Sequence, residues 1–147
     1  MFYVTCLVVA GLDQVSKWWM LHHSSDRPLW GDVLRLTLTE NTGAAFGLFQ
    51  GARLAFVGIS VLAAGGLLYA HRILPAHDRR RVWLALILGG NLGNLVDRIR
   101  LGHVTDFIDM GIGSARWPVY NLADVAVVAG ALGLGWLLVR PPAPLAR

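Results

Sequence analysis

Four long apolar stretches, Phe2 to Leu21, Leu54 to Ala70, Val82 to Val96 and Val119 to Val139, dominate this chain. Each approaches the roughly 20 residues that a helix needs to cross the hydrocarbon of a bilayer. With 55% hydrophobic and only 15% charged side chains in 147 residues, the chain is too apolar for an ordinary soluble domain. The expected fold is mainly α, a single integral-membrane domain over residues 1–147 with four transmembrane helices.

The polar residues are not scattered. They gather as Asp13-Gln14-Val15-Ser16-Lys17, Asn41-Thr42-Gly43, Asn94-Leu95-Val96-Asp97-Arg98 with Asp106 soon after, and Asn121-Leu122-Ala123-Asp124. An ionisable group inside a membrane costs roughly 3 kcal/mol or more, so each such carboxylate is a functional-site candidate. Four consecutive spans bring these clusters to one face. The middle loop holds Arg72, Arg79, Arg80 and Arg81, and Arg140 and Arg147 follow span four on the same side. The positive-inside rule makes that side, with both termini, cytoplasmic, and turns the polar clusters outward. Trp83 and Trp136 near the inner ends, and Trp18, Trp19 and Trp117 near the outer ends, fit interfacial belts.

Several function classes fall away. The net charge of +4 comes without a basic stripe, so nucleic acid is not expected as a partner. The amino terminus lacks a basic start and an Ala-x-Ala-like site before Asp13, and reads as a retained first span. Cys6 is the single cysteine and is expected to pack rather than react. Ser16 and Ser60 have no histidine placed as a base, and no His-Glu-x-x-His helix exists. His103 with Asp106 makes at most half a metal site, so neither metal nor cofactor is expected.

Local patterns add detail. From Val33 to Glu40, Leu34, Leu36 and Leu38 alternate with Arg35, Thr37 and Thr39, which predicts a half-buried strand in a β-containing loop of about residues 24–52. The following Asn41 to Gly47 segment is rich in small residues and suits peptide docking, although a tight turn into span two is the plainer reading. Gly89, Gly90 and Gly93 thin one side of span three for close packing. Asn94 and Asp97 share a helix face, as do Asp13 and Lys17, whose pairing reads as structural. Asn121 and Asp124 fall in the first turns of span four, just after Pro118.

The chemistry that remains is a pair of aspartates. Two carboxylates ~4 Å apart repel by about 4 kcal/mol at an effective dielectric near 20, about three pKa units, so the pair shares one proton. The ionised member activates a water and the protonated member polarises a peptide carbonyl. Spacing does not say which two: Asp97, Asp106, Asp109 and Asp124 all remain open. A small transporter would use intramembrane carboxylates equally well, but needs polar groups along the whole membrane depth. An assembly factor built on glycine-rich helix contacts would leave the one-sided carboxylates unexplained.

Taken together, Asp13-Gln14 with Lys17, Asn41-Thr42-Gly43-Ala44-Ala45-Phe46-Gly47, Gly93-Asn94-Leu95-Val96-Asp97-Arg98, Gly102-His103-Val104-Thr105-Asp106-Phe107-Ile108 and Pro118-Val119-Tyr120-Asn121-Leu122-Ala123-Asp124 closely resemble the bacterial lipoprotein signal peptidases, the signal peptidase II family. That resemblance implies an intramembrane aspartic endopeptidase of the bacterial inner membrane. It would cut diacylglyceryl-modified prolipoproteins on the amino-terminal side of the lipidated cysteine, with its site toward the outer leaflet. It implies Asp106 and Asp124 as the catalytic pair, with Asp13, Lys17, Asn41, Gly43, Asn94, Asp97, Arg98, Asn121 and Ala123 lining or supporting the site. It further implies an extracytoplasmic β-cradle, a surface helix, inhibition by globomycin-like cyclic peptides, contact with membrane lipids and a monomeric enzyme. Thr105 replaces a more usual valine and is expected to add a hydrogen bond near the dyad. Ser16 stands where threonine is common, and Asn91 stands where a small apolar residue is usual and is expected to alter the packing of span three.

Overall fold

The computed structural model describes residues 1–23, 26–43 and 52–139. Its four helices are α1 (Phe2–His23), α2 (Arg53–Ile73), α3 (Arg80–Arg100) and α4 (Leu122–Val139). A four-stranded antiparallel sheet in the order β1-β2-β3-β4 is built from β1 (Arg27–Trp30), β2 (Leu34–Asn41), β3 (Val104–Ile112) and β4 (Ala115–Arg116). Half of that sheet therefore lies outside the expected 24–52 loop. Residues 44–51, which include Ala44 to Gly47 of the expected docking segment, are outside the described residues, as are Arg140 and Arg147.

Helix α3 is the centre of the bundle, packed against α1, α2 and α4. Its glycines permit this. A Cβ on Gly89 would stand 2.7 Å from Val9 Cβ, one on Gly90 would meet the Ala123 carbonyl oxygen, and one on Gly93 would stand 2.5 Å from Asp13 Oδ2. At the other end of the bundle Phe2, Cys6, Leu84, Ala85 and Leu88 form an apolar core, and the Cys6 thiol donates to the Ala85 carbonyl at 3.4 Å. Asn91 uses its amide to bond the Ser60 carbonyl at 2.8 Å, which ties α3 to α2.

By length and composition, α2 and α4 are long and apolar enough to cross a membrane, whereas α1 and α3 fall short of that measure. The packing accommodates the polar residues that set α1 and α3 apart. The polar residues of α1 and α3, Asp13, Lys17 and Asp97, are buried against each other, while Leu7, Val8, Leu12 and Val15 cover the outside of α1.

Two boundaries differ from the sequence reading and matter for the site. Helix α3 continues past Val96 to Arg100, so Asp97 and Arg98 are helical. Leu101 closes it with an N–H to the Asp97 carbonyl at 2.7 Å, and Gly102 at φ 86° turns the chain into β3 in a conformation that glycine favours. Helix α4 begins only at Leu122, and Pro118 lies in an extended segment. There Tyr120 bridges Ile108, which lays the approach to α4 along β3.

Strand β2 forms where alternation predicts it, but the alternation does not run through. Pairing passes from Leu36↔Ile108 to Thr39↔Asp106, so one extra residue sits in β2 as a bulge. Beyond it the parity flips, and Thr39 and Asn41 share the face of Asp106 that unbroken alternation would have assigned to Leu38 and Glu40.

Candidate functional site

Asp106 lies on β3, not in a loop, and is 2% exposed. Its two carboxylate oxygens accept from two amides: Asn41 Nδ2 at 3.0 Å and Asn121 Nδ2 at 2.6 Å. The first of these depends on the β2 bulge, and the second on the bridge at Tyr120. Burial, with a smaller contribution from the charge of Asp124, pushes the Asp106 carboxyl up to about 6.

Asp124 is held by the start of its own helix. Asn121 is the residue before α4; its Oδ1 accepts the Asp124 N–H at 3.0 Å while Asp124 Oδ2 accepts the Asn121 N–H at 3.2 Å. This reciprocal cap leaves Oδ1 of Asp124 to accept from Asn94 Nδ2 at 2.8 Å. Asn121 thus touches both carboxylates, one through its side chain and one through its backbone.

Behind these groups stands a buried charged cluster. Lys17 reaches Asp13 Oδ2 at 2.8 Å and Asp97 Oδ2 at 3.0 Å, and donates to Asn94 Oδ1 at 2.9 Å. Asp97 also accepts from Gln14 Nε2 at 2.8 Å and from the Thr105 N–H at 3.0 Å. Asp13 accepts the Ala123 N–H at 2.9 Å. The lysine therefore fixes Asn94, and Asn94 in turn holds Asp124 and accepts from Asn121 at 3.1 Å.

Of the expected site residues, Asp13, Lys17, Asn41, Asn94, Asp97, Asp106, Asn121, Ala123 and Asp124 are joined in this one network. Gly43 is buried at its edge, donating its N–H to Asn41 Oδ1 at 3.0 Å. Arg98 stands at the same edge: it donates to the Gly43 carbonyl at 3.4 Å and lies 5.3 Å from the Phe56 ring centroid, with no carboxylate within ion-pair distance among the described residues. Asp109 is engaged elsewhere, paired with Arg116 at 2.7 Å. His103 faces Glu40 at 3.8 Å rather than Asp106, and among the described residues no three metal-ligating side chains converge.

Gln14, part of the first polar cluster but not among the expected site residues, also belongs to the network. It sits beside Asp13 within an apolar segment and bonds Asp97 and the Gly93 carbonyl, so an uncharged polar residue inside a span was the available signal. Thr105 also differs: its hydroxyl is buried and bonds nothing, among the described residues, in place of the hydrogen bond expected of it.

From Asp124 an apolar groove of about 870 Å³ runs along Val125, Val128 and Leu132 of α4, beneath Met110, Ile112 and Trp117.

A helical bundle with an apolar exterior, a small sheet, and one end where buried carboxylates are held by amides has the architecture of a small membrane enzyme. Two solved structures described as bacterial membrane enzymes share it: one at 26% identity with a TM-score of 0.87, covering 99% of this chain and 94% of that one, the other at 28% identity with a TM-score of 0.84, covering 95% and 92%. Residues 5–140 match the family described as Signal peptidase (SPase) II, and the chain belongs to that family of proteases. Among its relatives are lipoprotein signal peptidases of Moorella thermoacetica, 45% identical over 95% of this chain and 93% of the relative, and of Clostridioides difficile, 41% identical over 91% and 92%.

Proposed function

We propose that this chain is an aspartic endopeptidase that removes the signal peptide from diacylglyceryl-modified prolipoproteins, cutting on the amino-terminal side of the lipidated cysteine. The observation that carries the reading is the bridging of Asp106 and Asp124 by Asn121, while Asp97 and Asp109 are committed to Lys17 and Arg116. The names of the relatives supply the substrate class.

In this mechanism the two carboxyls hold one proton. The ionised one takes a proton from a water, whose oxygen attacks the scissile carbonyl carbon. The protonated one donates to the carbonyl oxygen, and a proton then passes to the leaving amine as the C–N bond breaks. Asp106, buried and with its carboxyl raised to about 6, suits the proton-bearing role. Asn41, Asn94 and Asn121 hold the carboxylates in place without adding charge. The apolar groove leading away from Asp124 suits a substrate whose scissile bond adjoins apolar chains.

The accompanying arrangement is a single domain over residues 1–147 with four spans and cytoplasmic termini in the bacterial inner membrane. It works as a monomer among membrane lipids, with the carboxylates toward the outer leaflet, and is blocked by globomycin-like peptides. Burial of the α1 and α3 charges within the bundle makes four spans compatible with lipid on the outside.

The test is cleavage of a diacylglyceryl-modified prolipoprotein by purified wild-type, Asp106→Asn and Asp124→Asn proteins in detergent, with thermal stability followed in parallel. Two folded but inactive variants are expected. Near wild-type turnover by either one removes the dyad assignment.

A further inference from the structure

At the end of the bundle opposite the carboxylates lies a second cavity, of about 410 Å³, between the starts of α1 and α3 and the end of α2. Arg81 on α3 is about 20 Å along that helix from Asn94, at 1.5 Å per residue. Nothing in the proteolytic reading uses this cavity.

Its walls include Tyr3, His71, Asp78, Arg79, Arg81 and Val82. Asp78 is the carboxylate of the lining, and Arg80 neutralises it through contacts as short as 2.6 Å. Arg79 and Arg81 have no carboxylate within ion-pair distance among the described residues, so the cavity keeps two uncompensated positive charges. Arg81 is also held still. Its Nε donates to His71 Nδ1 at 3.0 Å and its Nη1 approaches the Pro75 carbonyl at 3.4 Å, while His71, 4% exposed, stacks on Phe2 at 3.5 Å between ring centroids. A cation fixed in advance binds an anion with less entropy lost.

The surface beside the cavity is apolar and open. Tyr3 and Val82 at its rim are 56% and 42% exposed, and Leu7, one helical turn beyond Tyr3 on the same face, is 70% exposed. A free phosphate would use only the arginines; a ligand with a phosphate head and hydrocarbon chains would use both the arginines and the apolar face. Basic cavities between helix ends at a membrane surface suit such headgroups.

We propose that this cavity binds the phosphate headgroup of an anionic phospholipid, with Arg79 and Arg81 as its cationic partners and the acyl chains along the Tyr3 and Leu7 face of α1. The bound lipid then joins the ends of α1, α2 and α3, two of which carry the buried Lys17 cluster at their far ends. The inference presupposes that the bundle lies in a bilayer, and it is independent of the aspartate chemistry.

The test is native mass spectrometry of the full chain released from detergent, titrated with phosphatidylglycerol or with phosphatidylcholine. Wild type is expected to retain phosphatidylglycerol selectively. Arg79→Gln, at an exposed residue whose side chain has no hydrogen-bond or ion-pair partner among the described residues, should weaken retention about fivefold, and Arg79→Gln with Arg81→Gln about thirtyfold. Arg72→Gln, on the same loop side but outside the cavity, should change nothing. Equal retention of the two lipids, or undiminished phosphatidylglycerol binding by Arg79→Gln, overturns the proposal. Displacement of the lipid by inorganic phosphate alone would assign the cavity to a soluble anion and overturn the lipid as its source. Prolipoprotein cleavage on the same samples reports separately on the catalytic reading.

Discussion

Asp13 Oδ1 accepts the backbone N–H of Ala123 at 2.9 Å, which ties the middle of α1 to the second residue of α4. The same carboxylate holds Lys17 at 2.8 Å, so one side chain both anchors the helix that carries Asp124 and balances a buried ammonium.

Asp13→Ala leaves that N–H without a partner and Lys17 with one carboxylate in place of two. Breaking a buried charged cluster in this way costs about 3–5 kcal/mol. Asp13→Asn keeps an acceptor for Ala123 and should lose less. Thermal denaturation in detergent should rank wild type above Asp13→Asn and Asp13→Asn above Asp13→Ala; an Asp13→Ala melting point equal to wild type would contradict the anchor.

The dyad makes a pH prediction with a definite sign. The Asp106 carboxyl, raised from 3.8 to about 6, keeps its proton at pH values where an ordinary aspartate has lost it and releases it above about 6. Since the reaction needs that proton, kcat/KM should decline as pH rises past about 6. Bound substrate excludes more water, so the decline in kcat should lie at higher pH. Initial rates at low and saturating substrate across pH check this, and a kcat/KM that stays level well above pH 6 would remove Asp106 as the acid.

Thr105 presents a buried hydroxyl with no hydrogen-bond partner among the described residues, and an unsatisfied buried polar group costs about 1–3 kcal/mol. Valine has nearly the same shape without the hydroxyl. Thr105→Val should therefore raise the melting temperature while leaving Asp106, one residue on, in place. A lower melting temperature would show that the hydroxyl has a partner after all.

Gly90 separates two kinds of glycine. A Cβ there meets the Ala123 carbonyl oxygen and stands 2.9 Å from Val127 Cγ2, so Gly90→Ala should push α4 away and destabilise by about 1–3 kcal/mol or more, with loss of cleavage. On α2, Gly65 has nothing within 4 Å of the same position, and Gly65→Ala should be neutral or stabilising by up to about 1 kcal/mol. Melting curves of the two variants in one detergent make the comparison; similar losses would mean that helix flexibility, not close approach, sets the glycine requirement.

Much of this protein is legible in its chain because its strongest signals are local. Four apolar segments and the glycine run 89–93 imply packed helices, and spacings of three and four residues place Asn94 beside Asp97 and Asp13 beside Lys17 whatever the tertiary structure. The polar residues could be gathered at one end of the bundle by counting spans. A strand over 33–40 follows from alternation, and β2 forms at Leu34–Asn41; the packed helices and the Asp13 and Lys17 pairing are found as well.

What the sequence did not determine depends on contacts between distant segments. Strand β3 shows no clean alternation because Val104, Thr105, Asp106 and Phe107 are all buried, so both of its faces are covered and the period-two signal vanishes. The β2 bulge is a matter of pairing register, and it alone turns Asn41 to the face of Asp106. The start of α4 is set by Tyr120 bridging β3 and by the mutual cap of Asn121 and Asp124, not by Pro118. Helix periodicity and burial pattern are properties of short stretches, which a sequence displays directly; which carboxylate meets which amide is a property of packing, decided only when α1, β2, β3, α3 and α4 meet.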